Sequence, residues 1–385
     1  MARNRVIYQS EALYASPTDA STGSCAMDHG FTSQANFPKQ IQRVQNANYS
    51  FSIERQDVNQ FGELAAIDRI ILTSPTVSLD FQYLVANMVN EKNLGFWVSS
   101  GAWTSCISGI LNKTTDEKCY YIRTVAEGAD AGGDTAITHY ASDQSTIGLG
   151  NSYITSYTAE GSVGNFPTVS VNVEALNMRV YSSVSGEFIP AVAADTGVAN
   201  ATNKFALPAA ARHTESGGTT SVLRPGDVTI EVVETGGSTV WDGAAGANVG
   251  HDQGTSRAKL QSYNISFDLS RTPLEQLGSK FAFSREIDFP VTITASIEGM
   301  VSDLLAGNLA TVITSDQGLD LSVKIANPAN AAQFYAVYHI KQAKLDSQEF
   351  SSGIGDNKSV TLNFSAQVGG PSQNNIGFFM SGITS

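Results

Sequence analysis

The strongest constraint on this chain is a stretch that occurs twice. Val44 to Ile71, VQNANYSFSIERQDVNQFGELAAIDRII, lies without a gap on LQSYNISFDLSRTPLEQLGSKFAFSREI, which begins at Leu260, 216 positions later. Ten of the 28 positions are identical: Gln45/Gln261, Asn48/Asn264, Ser50/Ser266, Phe51/Phe267, Arg55/Arg271, Gln60/Gln276, Gly62/Gly278, Ala66/Ala282, Arg69/Arg285 and Ile71/Ile287. A second echo follows at an offset of 191, where GNFPTVSVNVEA (Gly164 to Ala175) matches GDNKSVTLNFSA (Gly355 to Ala366). Both signals recur in the same order, so the repeating unit is a whole domain and not the short module of a solenoid. The pattern reads as an internal duplication, and 385 residues are enough for two domains with a core each. The expected boundaries are 1–180 for the first domain with an N-terminal arm, 181–222 for a connection, and 223–385 for the second domain.

Composition narrows the function classes. Charged residues make up 15% of the chain, well below the usual quarter, and 34 glycines accompany abundant Ser, Thr, Asn and Val. This suits a β protein that hides much of its surface against partners. A net charge of −13 argues against holding nucleic acid through its phosphates, which takes clustered Lys and Arg. MARNRVIYQSEALYAS has no apolar segment of signal-peptide length, and no run of 18 apolar residues occurs, so folding in the cytoplasm without a membrane is the expectation. Cys25, Cys106 and Cys119 cannot all pair and show no CxxC spacing; free buried thiols are expected, with a Cys106–Cys119 bridge as the alternative.

Along the chain, Arg3 to Tyr8 reads as a short strand and Ser16 to Gln40 as a loop or arm. Tyr49, Phe51 and Ile53 then alternate with Asn48, Ser50, Ser52 and Glu54, the period-two pattern of a strand with one packed and one polar face. The second copy alternates likewise: Tyr263, Ile265, Phe267 and Leu269 against Asn264, Ser266, Asp268 and Ser270. Gly62 and Gly278 mark matching turns. Val77, Leu79 and Phe81 oppose Thr76, Ser78, Asp80 and Gln82, and Val291, Ile293, Ala295 and Ile297 oppose Thr292, Thr294, Ser296 and Glu298. Met300, Val301, Leu304 and Leu305 then fit a helical turn or two, with Tyr83 to Val89 as the fainter counterpart. The offset falls from 216 to 191, so the first copy carries about 25 extra residues, expected within Thr114 to Ala141 as an exposed insertion. Ser182 to Ser221 reads as a surface connection and Gly236 to Gly254 as a Gly-rich loop. Asp227 to Glu234 reads as a strand that opens the second unit, the counterpart of the one near Val6.

Catalytic and metal chemistry find no residues to rest on. His29, His139, His213, His251 and His339 are scattered without ligand spacing, and DAGGD (Asp130 to Asp134) lacks the later bidentate Glu of a calcium loop. No GxSxG, HExxH, P-loop or GxGxxG stands in a strand-to-helix context. The expectation is a protein that is not an enzyme and needs no cofactor. What stands out is the polar face of the repeated strands, built from Ser, Thr, Asn and Gln with scattered acids and no Lys or Arg. An ordinary solvated face mixes both signs of charge. A surface of small polar groups and a few negative charges would let DNA pass without gripping it.

RVQNANYSFSIERQDVNQFG together with YITSYTAEGSVGNFPTVSVNVEA (Tyr153 to Ala175) resembles the tail tube proteins of long-tailed bacteriophages, in the form in which one chain carries two tube domains. NRVIYQSEALY, RPGDVTIEVVE and SREIDFPVTIT add to the likeness. The resemblance implies a mainly β chain of two tandem β-sandwich or barrel domains, each flanked by a short helix, with strands joining across subunits around a lumen. Three copies would make a ring of pseudo-hexameric form, and stacked rings a tube for DNA ejection, with Met1 to Gln40 bridging rings. Its partners would be copies of itself, the tape measure, the tail terminator and the tail tip or baseplate; DNA would pass without specific binding, and the location would be the virion. Lumen-facing candidates are Asn48, Ser50, Ser52, Glu54, Ser78 and Asp80 in the first domain. In the second they are Asn264, Ser266, Asp268, Ser270, Thr292, Thr294 and Ser296. Arg55, Arg271, Arg69 and Arg285, basic in both copies beside strand ends, are expected to make ion pairs between domains or rings. Other readings of the same features are a baseplate or tail-tip hub ring, the related tube of a contractile secretion system, and a receptor- or glycan-binding protein.

Overall fold

A computed structural model of the chain describes residues 11–16, 38–72, 75–99, 104–112, 115–125, 131, 145–182, 223–234, 239–242, 258–278, 282, 284–301, 318–327, 330–351, 358–373 and 375–382. Among these the fold is almost entirely β. The first half supplies β1 (Glu11–Ala15), β2 (Lys39–Gln40), β3 (Val44–Ser52), β4 (Arg55–Val58), β5 (Asp68–Ile71), β6 (Thr76–Leu84), β7 (Val98–Ser99), β8 (Lys118–Thr124), β9 (Ser145–Ser162), β10 (Thr168–Ala175) and β11 (Asn177–Ser182). It also carries the helices α1 (Val89–Leu94) and α2 (Ser108–Leu111). The second half supplies β12 (Val228–Glu234), β13 (Thr239–Asp242), β14 (Ala258–Asp268), β15 (Arg271–Leu274), β16 (Ser284–Ile287), β17 (Thr292–Val301), β18 (Leu319–Asn327), β19 (Asn330–Ser351), β20 (Ser359–Gln367) and β21 (Gly377–Gly382).

Eight strands form a central antiparallel sheet in the order β3-β6-β10-β9-β14-β17-β20-β19. Its middle joint is β9 against β14, one strand from each half. The long strands β9 and β19 continue out of this sheet into flanking ones. The first part of β9 pairs with β8 and β11, and β8 continues through β1 to β2. The first part of β19 pairs with β18 and β21, and β18 continues through β12 to β13. β7, from the first half, runs parallel to β21 at the edge of the second flanking sheet. Hairpins β4–β5 and β15–β16 stand apart as two-stranded ribbons.

The alternation expected from the sequence is what fills the core. Val77, Leu79 and Phe81 on β6, Ile265 and Phe267 on β14, Ile293, Ala295 and Ile297 on β17, and Leu362 and Phe364 on β20 are all buried in one contiguous apolar cluster. The cluster spans both halves, with rings in contact across them: Phe267 lies 5.4 Å from Tyr157, 5.9 Å from Phe96 and 5.6 Å from Phe378, centroid to centroid. Such pairs contribute roughly 0.5–1.5 kcal/mol beyond their area burial.

The ladders of the two halves have matching registers. Asn48 faces Asp80 in β3–β6, and Asn264 faces Ser296 in β14–β17, with both members moved by 216. Asp80 faces Asn172, and Ser296 faces Asn363, so the offsets 216 and 191 meet within one ladder. The irregularity at Ile154/Ser156 in β9–β10 has its counterpart, 191 later, at Leu345/Ser347 in β19–β20. The left-handed residues Asn151 (φ 50°) and Gln342 (φ 57°) are also 191 apart, and Gly62 (φ 92°) and Gly278 (φ 89°), where a side chain would be strained, close the two hairpins.

Several expectations are corrected. Tyr83 and Leu84 end β6 and the helix begins only at Val89; Met300 and Val301 end β17, where Met300 pairs with both Lys259 and Ser359, so two neighbouring ladders hold it extended, while Leu304 and Leu305 of the expected helical turn lie outside the described residues. Lys118–Thr124, inside the stretch expected to be an exposed insertion, is the wholly buried strand β8. Its run of Cys, Tyr, Tyr and Ile suits a strand covered on both faces. Tyr120 faces Leu149, and Leu321 faces Ile340, so the offset steps from 216 at β6 to 201 at β8 and 191 at β9. The extra residues therefore fall in two places. The counterpart of β12 is β1, since Leu13 faces Ile122 as Ile230 faces Val323; Arg3 to Tyr8 lies outside the described residues. Cys119 is disulfide-bonded and Cys106 is a buried free thiol, so neither the three free thiols nor the Cys106–Cys119 bridge holds. Ser182 to Ser221 lies almost wholly outside the described residues, and Thr239–Asp242 within the Gly-rich loop is strand β13.

Candidate assembly surface

The polar positions of the repeated strands share one face of the central sheet, because side chains alternate across a strand and the registers keep them in rows. Asn48 donates through Nδ2 to Asp80 Oδ2 at 2.8 Å, Ser50 and Ser78 exchange a hydroxyl bond at 2.8 Å, and Ser266 and Thr294 repeat it at 2.8 Å. Ser52, Asn264, Asp268, Thr292 and Ser296 stand at the same phase of β3, β14 and β17. Glu54 and Ser270 lie just past the strand ends, exposed, with Ser270 donating to Asp288 Oδ2 at 3.2 Å.

Four further strands, β9, β10, β19 and β20, extend this face, and none of them supplied a lumen-facing candidate. The alternation of Val169, Val171 and Val173 with Ser170, Asn172 and Glu174 on β10, and of Val360, Leu362 and Phe364 with Thr361, Asn363 and Ser365 on β20, is legible in the sequence. The place of β9 and β19 on the face is not. Asn172 donates to Ser156 Oγ at 2.7 Å and Asn363 to Ser347 Oγ at 2.8 Å, at positions 191 apart. The signal was present in β9 but interrupted: the bulge at Thr155 shifts the alternation, so YITSYTAE does not read as a clean period of two. Across the face stand the carboxyls of Asp80, Glu160, Glu174, Asp268, Glu298 and Glu349, with Lys344 among them. The dominant chemistry is short hydroxyls and amides bonded to one another, with excess negative charge.

The four arginines fall into two unlike settings. Arg271, at the base of β15–β16, has a side chain only 2% exposed and contacts Asp116 of the first half at 2.5 Å and 3.1 Å. Its guanidinium carbon also sits 4.8 Å from the centre of the Tyr153 ring. Arg285 lies 2.6 Å from Glu174, again on the first half. The second hairpin is thus fastened to the first half by two charged contacts. Arg69 instead pairs with Asp57 of its own hairpin at 2.5 Å, and Arg55 is exposed with no ion-pair partner among the described residues. The first hairpin stands in solvent, with Phe61 and Leu64 at 105% and 112% relative exposure.

Both outer edges of the central sheet are open. β3 pairs only with β6, and Lys344–Ser351 of β19 only with β20, among the described residues. Phe51 on the open edge is 59% exposed, whereas Phe267, its counterpart 216 later, is 2% exposed beneath β9.

A buried polar chain crosses between the halves beneath the sheet. Tyr83 donates to Glu91 Oε1 at 2.8 Å, Tyr157 to the same oxygen at 3.3 Å, and the hydroxyls of Tyr157 and Tyr338 lie 3.2 Å apart. Glu91 is on α1 and wholly buried, and its Oε2 has no hydrogen-bond partner among the described residues. Burial raises the carboxyl to about 7, opposed by the two tyrosine hydroxyls and by the charge of Arg43. On the second flanking sheet, burial lowers His339 to about 4. No group of three metal-ligating side chains occurs among the described residues, and no helix there is long and apolar enough to cross a membrane.

No protein-family model matches the chain, and no curated protein matches its sequence. Among solved structures it is similar to the SPP1 tail tube, at 13% identity and a TM-score of 0.29, over 42% of this chain and 81% of that one. It is similar to a chain of the anti-feeding prophage baseplate, at 10% identity and 0.29, over 41% and 94%. It is also similar to the Hcp1 protein of E. coli, at 14% identity and 0.24, over 40% of this chain and 96% of that one.

Proposed function

We propose that the chain is a structural protein of a phage tail, not an enzyme, in which two copies of a tube domain lie in tandem. Three chains close a pseudo-hexameric ring, and rings stack into a tube whose lumen passes DNA during ejection. The observation that carries this reading is the joint between β9 and β14 inside the chain, with an open edge of each kind left at the two ends of the same sheet. Such a chain offers one surface and accepts another, which gives head-to-tail association and a ring if the rotation closes. Closure also removes two long open edges that would otherwise template aggregation. The acidic, hydroxyl-rich face fits a lumen, because its carboxylates outnumber the cations with which proteins hold phosphates.

Copies of the chain are the first partners; the tape measure, terminator and tail-tip proteins follow from the same reading. The test is negative-stain electron microscopy of concentrated protein, with light-scattering mass on the same sample. Hollow tubes, or rings of three chains with apparent sixfold symmetry, are expected. Rings of three that never stack would reassign the protein to a hub or tip, and a monomer at every concentration would remove the ring-building role.

A further inference from the structure

We propose that β19 of one copy pairs with β3 of the next in the register that β9 and β14 use within the chain, and that an apolar hairpin holds this second junction where ion pairs latch the first. The inference rests on the ring-building reading and adds to it a partner edge, a register and a chemistry.

The register follows from the matched ladders. Within the chain Asn264 faces Glu160, Ser266 faces Thr158 and Asp268 faces Ser156. β3 stands 216 before β14 and the outer part of β19 stands 191 after that of β9, as their common ladders require. Moving each partner by its own offset sets Asn48 opposite Ser351, Ser50 opposite Glu349 and Ser52 opposite Ser347 of a second copy. The backbone hydrogen bonds from Val163 N to Gln261 O and from Leu269 N to Thr155 O place the odd-numbered β14 positions in the hydrogen-bonded pairs. Ser266/Thr158, and with it Ser50/Glu349, is therefore a non-hydrogen-bonded pair, the kind in which side chains come closest. The exposure of Phe51 against the burial of Phe267 marks the same place as unfilled.

The chemistry does not transfer. Glu174 and Tyr153, which receive Arg285 and Arg271, have Ser365 and Lys344 as their counterparts 191 later. A copy docked in this register brings Arg69 toward a serine and Arg55 toward a lysine, so the contacts to Glu174 and Tyr153 have no acidic or aromatic equivalent there; the counterpart of Asp116 lies outside the described residues. The β4–β5 hairpin carries instead Phe61, Leu64, Ile67, Ile70, Ile71 and Leu72, all exposed. Burial of large apolar side chains contributes roughly 1.5–3 kcal/mol each and is not weakened by screening salt. The chain would thus fasten its second hairpin to its own first half by charge and its first hairpin to a neighbour by apolar contact.

The test uses the full chain with Ser50→Cys and Glu349→Cys combined, each single variant, and Ser50→Cys with Ser347→Cys as a control two residues out of register. A disulfide needs Cα atoms within about 4.4–6.8 Å, whereas diagonal neighbours lie roughly 7–8 Å apart. Mild oxidation of assembled protein should give reducible covalent oligomers for the first pair, several-fold fewer for the control, and none for the singles. Assembly without that cross-link, or with the control preferred, would overturn the register and leave the ring-building role standing; failure to assemble at all would remove both. For the chemistry, Phe61→Ser with Leu64→Ser should abolish oligomers at unchanged thermal stability, and wild-type oligomers should persist at ~1 M salt, where screening acts over roughly 3 Å. Dissociation in salt, or an unaffected hairpin variant, would overturn the apolar latch.

Discussion

Glu91→Gln tests the buried chain of hydroxyls that joins the two halves. In the native protein this carboxyl titrates at about 7, against 4.5 for the free side chain. The folded pKa is raised, so the native state binds the proton more tightly than the unfolded state. The associated stability is complete below about pH 4.5 and is lost as pH rises to 7. A difference of that size corresponds to about 3 kcal/mol across the window. His339 works in the opposite sense: its folded value of about 4 lies below 6.5, so its contribution is lost as pH falls from 6.5 to 4. The two slopes oppose each other between pH 4.5 and 6.5. Glutamine keeps an oxygen for Tyr83 and Tyr157 and carries no charge, so it removes only one slope. Urea unfolding of both proteins at pH 4.5 and pH 8 should therefore show the variant gaining about 3 kcal/mol relative to wild type at the higher pH. A stability difference that is the same at both pH values would refute the argument, because Glu91 would then not titrate between folded and unfolded states.

Three further outcomes are expected. Asp116→Asn leaves the charge of Arg271 buried without its partner and should cost about 3–5 kcal/mol in denaturant unfolding, while Asp57→Asn, at the exposed pair with Arg69, should cost less than about 1 kcal/mol. Phe267→Ala should lose about 3–5 kcal/mol, but Phe51→Ala, its counterpart on the open edge, should leave the monomer within about 0.5 kcal/mol and weaken assembly measured by light scattering. Gly161→Val places a Cβ 2.5 Å from the Tyr263 ring, which is buried across the β9–β14 joint, so it should lower the thermal midpoint and raise proteolysis at that joint. An unchanged midpoint would show that the joint yields without cost.

What the amino-acid sequence determined by itself was the repeated and local part of the structure. The alternation in Asn48–Ile53, Thr76–Gln82 and Thr292–Glu298 places apolar and polar groups on opposite faces whatever else the chain does, and the glycines at 62 and 278 require turns. The ungapped match at 216 carried the hairpins with their registers, because residues near one another in sequence pair through a short turn. Tertiary structure alone decided how the copies differ. That Phe267 is covered and Phe51 is bare follows from β9 lying beside β14, a contact between strands about a hundred residues apart. That Arg271 is latched while Arg55 is free depends on Asp116 and Tyr153, which lie outside the ungapped match from Val44 to Ile71 and its copy. The bulge at Thr155 and the buried strand at Lys118–Thr124 likewise answer to neighbours on both sides and not to a local period. Two identical sequence signals acquire different surroundings because only one of them has a partner within its own chain.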